Sequence, residues 1–148
     1  MQLPERNRGP ADYLRVARDP ATGAADLLEL SGSPYSFVRL AVAGRADAAL
    51  PALRRVWAAG EYDAWDRNTL LRALAGHPNA DRALLLEVRD EAARLLVAGL
   101  HRPYAAVLAL ATRPELTDAE VRALTNLPGA SRRLRAGILR ALETRQPQ

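Results

Sequence analysis

Apolar residues recur along this chain at helical spacing, in runs cut by Pro or Gly roughly every ten to fifteen residues. Leu84, Leu85, Val88, Ala92, Leu95 and Leu96 form one broad stripe. Trp65, Leu70, Leu71 and Leu74 alternate with Asp66, Arg67 and Arg72, and near the C-terminal end Leu134, Ile138, Ala141 and Leu142 share a face flanked by Arg132, Arg133, Arg135 and Arg140. The spacing predicts about nine short helices, at 10–18, 24–31, 34–43, 47–59, 63–75, 81–99, 103–112, 117–126 and 131–145. Helix starts carry their own signals. Thr117 and Glu120 have capping-box spacing, and Ser131, Asp81, Asp63 and Asp47 sit where N-caps belong. Pro10, Pro34 and Pro103 suit first-turn positions, and Gly44, Gly60, Gly76 and Gly99 suit helix stops.

The runs resemble one another. Ala17-Arg18-Asp19-Pro20 precedes Leu27-x-x-Leu30, Pro34 and Leu40; at a constant offset of 94 residues stand Ala111-Thr112-Arg113-Pro114, Val121-x-x-Leu124, Pro128 and Leu134. Leu71-x-x-Leu74 with Pro78 and Leu84, and Leu96-x-x-Gly99 with Pro103 and Ala109, repeat part of this pattern, and Ala43, Leu53 and Val56 repeat its front half. A unit of roughly 25 residues, too small to bury its apolar face alone, must lean on its neighbours. These residues, with Val38-Arg39-x-Ala41-Val42-Ala43, resemble the bacterial leucine-rich-repeat variant group, a HEAT-like family, over about residues 14–142. The resemblance implies an all-α fold: a short right-handed α-solenoid of stacked helical repeats, here one domain over 1–148 with flexible ends at 1–9 and 146–148. Founding members carry a Cys cluster for an iron–sulfur centre. This chain has no Cys, so that chemistry does not transfer.

Composition agrees with a helical reading. The apolar 49% is mostly Ala and Leu, with one Ile and one Phe, and all 21 basic residues are Arg. Such usage points to a GC-rich bacterial genome. The absence of Cys excludes disulfides, zinc–thiolate sites and Cys nucleophiles. No apolar run is long enough to span a membrane, and the first residues lack an apolar signal region, so a cytoplasmic location is expected. Net charge is +4 and unevenly placed: residues 1–60 carry 8 Arg against 6 acids, 61–120 carry 7 against 10, and 121–148 carry 6 against 1.

Candidate chemistry is sparse. No Gly-x-Gly loop, His-Glu-x-x-His or Gly-x-Ser-x-Gly occurs, and a Walker loop is excluded because there is no Lys. His77 and His101 stand in turns without a carboxylate pattern, which fits imidazoles bonding helix carbonyls better than a metal site. The carboxylate pairs Asp63/Asp66, Asp90/Glu91 and Asp118/Glu120 fit helix ends and solvated surface. No metal, cofactor or catalytic residue is expected. The reading is a non-catalytic protein–protein interaction module, binding an acidic partner protein through Arg39, Trp57, Trp65, Arg82, Arg132, Arg133, Arg135 and Arg140. The alternative is a nucleic-acid-binding module using the Arg-rich C-terminal end, although no stacking aromatic lies there. In the bland reading those arginines are a solvated face placed favourably near a helix C-terminus.

Overall fold

A computed structural model describes residues 9–145, so the expected flexible ends, apart from residue 9, lie outside the described residues. Every regular element described is helical: α1 Pro10–Arg18, α2 Ala24–Leu30, α3 Ser36–Ala43, α4 Leu50–Ala58, α5 Ala64–Ala75, α6 Arg82–Ala98, α7 Tyr104–Ala111, α8 Asp118–Arg122 running into a 3-10 turn Ala123–Asn126, and α9 Arg132–Glu143. The elements fall into two compact units. The first comprises residues up to 70 with 77–79, and the second comprises 71–76 with 80 onward, so α5 contributes to both. In the first unit α1 packs on α3, α2 on α4 and α3 on α4; in the second α7 packs on α6 and α9, and α8 on α7 and α9.

The helix limits follow local chemistry. The Ser131 and Asp81 side chains accept from the backbone N–H three residues on, and Thr117 and Glu120 close a reciprocal box. Asp63 Oδ1 accepts from Asp66 N–H at 2.8 Å. Helix α6 ends in a Schellman turn: Gly99 has φ 69°, and Leu100 N–H reaches back to the Leu95 carbonyl. Three expectations fail. Asp47 does not cap α4, whose N-cap is Ala49; it bridges Arg45 instead. Pro34 lies outside α3, and Pro103 is the N-cap of α7, not a first-turn residue.

A four-fold recurrence organises the core. Ala17, Ala43, Ala75 and Ala111 each lie at a helix end and are fully buried. Counting from each alanine, the residue five on (Thr22, Ala48, Ala80, Leu116) is buried in the turn. The residues ten and thirteen on (Leu27/Leu30, Leu53/Val56, Leu85/Val88, Val121/Leu124) are buried in the following helix. Alanine recurs because the helix end lies hard against its neighbours, and the aliphatic pair recurs because three residues nearly complete one helical turn. Leu30 and Leu124 therefore hold equivalent places. Leu74 does not: it precedes its alanine, in α5, so the alignment of Leu71-x-x-Leu74 with Leu27-x-x-Leu30 is one helix out of phase.

Two residues past the last three of these alanines, and two past Glu143 at the end of α9, a side chain ties the turn to an earlier one. Arg45 donates to the carbonyls of Ala17, Asp19 and Thr22. His77, 3% exposed, donates from Nε2 to the Arg45 carbonyl at 2.7 Å and accepts from Asn79 N–H at Nδ1, while Asn79 donates to Ala48. In the second unit Arg113 donates to Ala75 and Ala80, and Arg145 to Ala111, Arg113 and Leu116. Helix C-terminal carbonyls lack partners within their own helix, and a guanidinium with five donors satisfies several at once.

A surface pair locks α8 to α6. Arg82 grips both oxygens of Glu120 at 2.8 and 2.9 Å and also donates to the Glu115 carbonyl. The Arg82 guanidinium, aided by the Thr117 N–H, holds the Glu120 carboxyl down at about 2, below the ordinary value near 4.5. A carboxyl lowered on folding stabilises above its unfolded pKa and loses that contribution as pH falls toward its folded one. The stability gap between wild type and Glu120→Gln is therefore expected to be full at neutral pH and to close between pH about 4.5 and about 2. Urea unfolding at a series of pH values checks this; a gap independent of pH overturns it.

Candidate interaction surface

Four aromatic residues stand at or near the N-terminal ends of three helices in the first unit, and three of them are in ring contact. Tyr13 is the fourth residue of α1, Tyr35 is the N-cap of α3, Phe37 is its second residue, and Trp65 is the second residue of α5. The Tyr13 and Tyr35 rings are 6.5 Å apart, and Tyr35 stacks on Phe37 at 5.6 Å. Between Tyr35 and Phe37, the Ser36 hydroxyl donates to Asp66 Oδ2 at 3.2 Å, which sets the start of α5, and with it Trp65, beside the start of α3. Tyr35 and Phe37 are exposed, and Trp65 is 81% exposed. A ring of this size left in water is unusual unless something covers it.

The residues singled out from sequence are distributed differently from the expectation. Arg39 is 6% exposed and internally committed: it donates to Tyr62 Oη, Ser33 O and Glu61 O, and its guanidinium lies over the Tyr62 ring at 4.9 Å. Tyr62 in turn donates to the Val56 carbonyl, so it is a strut holding the α4–α5 turn. Burial pushes the Tyr62 hydroxyl above its usual range, with Arg39 pulling the other way. Trp57 is half-buried in α4. Arg82 is held by Glu120. Tyr104 donates to the Gly129 carbonyl at 3.1 Å.

Arg132, Arg133, Arg135 and Arg140 are exposed on α9, and none makes an ion pair among the described residues. The favourable-dipole account of this cluster is corrected for three of them. Arg132, Arg133 and Arg135 occupy the first turn and a half of α9, at the positive end of the helix dipole, with no acidic residue in that turn. Only Arg140 lies in the last turn.

The paired carboxylates have structural partners. Asp63 caps α5, Asp66 accepts from Ser36, Asp90 pairs with Arg89, Glu91 with Arg94, Asp118 with Arg145 and Glu120 with Arg82. An open depression of about 920 Å³ in the second unit is lined by Leu116, Asp118, Leu142 and Arg145 among others. Its acids are tied to arginines: Asp118 to Arg145, and Glu115 to Arg113, whose guanidinium lowers the Glu115 carboxyl. Among the described residues no group of three or more metal-ligating side chains comes together, and no helix is long and apolar enough to cross a membrane.

Sequence reasoning placed Trp65 at a binding surface but did not bring Tyr13, Tyr35 and Phe37 to the neighbouring helix starts, because only packing brings those starts together. It also gave no role to Arg45 or Arg113. No protein-family model matches this chain, and no curated protein or solved structure matches it either.

Proposed function

We propose that this chain is a cytoplasmic, non-catalytic protein-interaction module, a short α-solenoid of HEAT-like repeats that binds an acidic partner protein. The supporting observation is the arginine cluster of α9. Placing cations at a helix N-terminus costs about 0.3–1 kcal/mol each and gives the fold nothing in return here, since no ion pair offsets it among the described residues. Charges that weaken their own helix are explained by a ligand that neutralises them. The buried alanines and aliphatic pairs that recur from turn to turn support the repeat reading.

The test is a titration of a fluorescent Glu-rich peptide. The variant Arg132→Glu/Arg133→Glu/Arg135→Glu is expected to bind about tenfold or more weakly, each exposed pair contributing up to about 1 kcal/mol. The same variant is expected to unfold at a higher temperature, because acids replace cations at the positive end of α9. Unchanged affinity overturns the acidic-partner reading. Random-sequence duplex DNA that binds more tightly than the peptide, with affinity falling steeply with salt, turns the assignment to nucleic acid.

A further inference from the structure

We infer that the aromatic row at the starts of α1, α3 and α5 is a second docking surface, one that takes a cationic segment of a partner protein by stacking its Arg or Lys side chains on Tyr13, Tyr35, Phe37 and Trp65. Two features of the row select the chemistry. The first is the rings themselves: Trp65 is almost wholly in water, and the stacked pair Tyr35 and Phe37 is partly exposed at the start of α3, which the Ser36–Asp66 bond ties to the start of α5. Aromatic faces are the negative pole of the ring quadrupole and attract ammonium and guanidinium groups. The molecule already uses this pairing internally, where Arg39 lies over Tyr62.

The second is local charge. The stretches that form the row, 9–15, 33–37 and 61–67, contain four acids (Asp12, Glu61, Asp63, Asp66) and two arginines (Arg15, Arg67). That is a local excess of two negative charges in a chain whose net charge is +4. Arg15 is already paired with Asp12. Helix N-termini would ordinarily draw anions, but two of these three are occupied: Asp12 accepts from the Gly9 N–H at the start of α1, and Asp63 caps α5. With those N-termini already occupied and the local charge negative, an acidic segment is disfavoured there. An extended segment crossing the three helix starts, with cationic side chains over the rings and their charges beside Asp66 and Glu61, meets both requirements. This surface is distinct from the α9 arginines and prefers the opposite charge, so neither reading depends on the other.

The probe is a ten-residue peptide of alternating Arg and Gly, titrated into the full chain and followed by tryptophan fluorescence in a Trp57→Phe background, where Trp65 is the only reporter. Expected results are saturable quenching or enhancement of Trp65, affinity falling about tenfold or more for Trp65→Ala measured by calorimetry, and several-fold for Tyr35→Ala and for Asp66→Asn. The triple α9 variant binds as wild type. Trp65 is exposed, so its removal leaves the fold intact, and circular dichroism verifies that. Wild-type affinity in Trp65→Ala overturns the inference, as does equal binding of Glu–Gly or Ser–Gly peptides. Concentration-dependent dimerisation that Trp65→Ala abolishes also overturns it, since the row would then belong to a second copy of this chain.

Discussion

Gly129→Ala is expected to destabilise the chain by about 3 kcal/mol, a large fraction of what holds a domain of this size together. A Cβ at this position would stand 2.2 Å from the Leu96 carbonyl oxygen, 2.9 Å from its carbon and 3.0 Å from its Cα. All three are backbone atoms, so no rotamer change relieves the clash. The last turn of α6 must move, and that turn is held by the Schellman bonds to Gly99 and Leu100. The Gly129 carbonyl also accepts from Tyr104, so a shift of the 129 backbone costs that hydrogen bond, worth about 1 kcal/mol. Gly137 offers a contrast: its nearest obstacle is Leu108 Cδ2 at 2.7 Å, the end of a flexible side chain that can swing away. Gly44→Ala is the control. Its φ is −76° and its added Cβ would meet nothing closer than 3.5 Å, so this change is expected to be neutral or to stabilise by about 0.4–1 kcal/mol through the unfolded state. Urea unfolding of the two variants decides: a Gly129→Ala loss below about 1 kcal/mol means that α6 and the 129 turn do not approach as described.

The helices were legible in the sequence because their signals are local. Thr117, Ser131, Asp81 and Asp63 act on backbone groups within three residues, so spacing alone reveals them. Asp47 looked the same and is not a cap, since Arg45, two residues away, competes for it and wins. The repeat was legible in kind but not in phase. The buried alanines are spaced by 26, 32 and 36 residues, because α5 has 12 residues where α3 has 8, and α6 has 17 where α2 has 7. A search for one constant period slides across that length change and lays α5 on α2. With so many alanines in the chain, nothing local marks the four that close helix ends.

The candidate site was the least legible part. An arginine's surroundings depend on which carbonyls packing brings within reach, so Arg39, buried, and Arg45, half-buried, both spent on carbonyls, cannot be told by residue type from Arg132 and Arg133, exposed and without an ion pair among the described residues. Likewise Tyr13, Tyr35 and Trp65 lie 22 and 30 residues apart, and only the packing of α1 on α3 and the Ser36–Asp66 bond brings their helix starts together. The negative charge of that row was hidden by a positive net charge, which is a sum and carries no positions.

Arg45→Ala is expected to cost about 2–4 kcal/mol, although Arg45 touches no ligand and lies in a turn. Its side chain is 10% exposed and spans the end of α1, with Nη1 on the Ala17 and Asp19 carbonyls and Nη2 on Thr22, while Nε and Nη2 hold Asp47 at 2.9 and 2.7 Å. Truncation strands several half-shielded carbonyls together, and each stranded group costs about 1 kcal/mol or more where water reaches it poorly. It also frees α1 from the turn after α3, on which α1 packs. Arg45→Lys is expected to recover less than half of the loss, because one ammonium cannot serve carbonyls on several residues and a carboxylate in one plane. The pH dependence separates the carbonyl bonds from the ion pair. Arg45 lowers the Asp47 carboxyl through their hydrogen bond, so the ion-pair share is present at neutral pH and fades as pH falls below the ordinary aspartate range near 4. The carbonyl share persists. A gap between wild type and Arg45→Ala that survives in an Asp47→Asn background, where no ion pair forms at any pH, therefore assigns the stability to helix-end capping; a gap that vanishes there assigns it to Asp47.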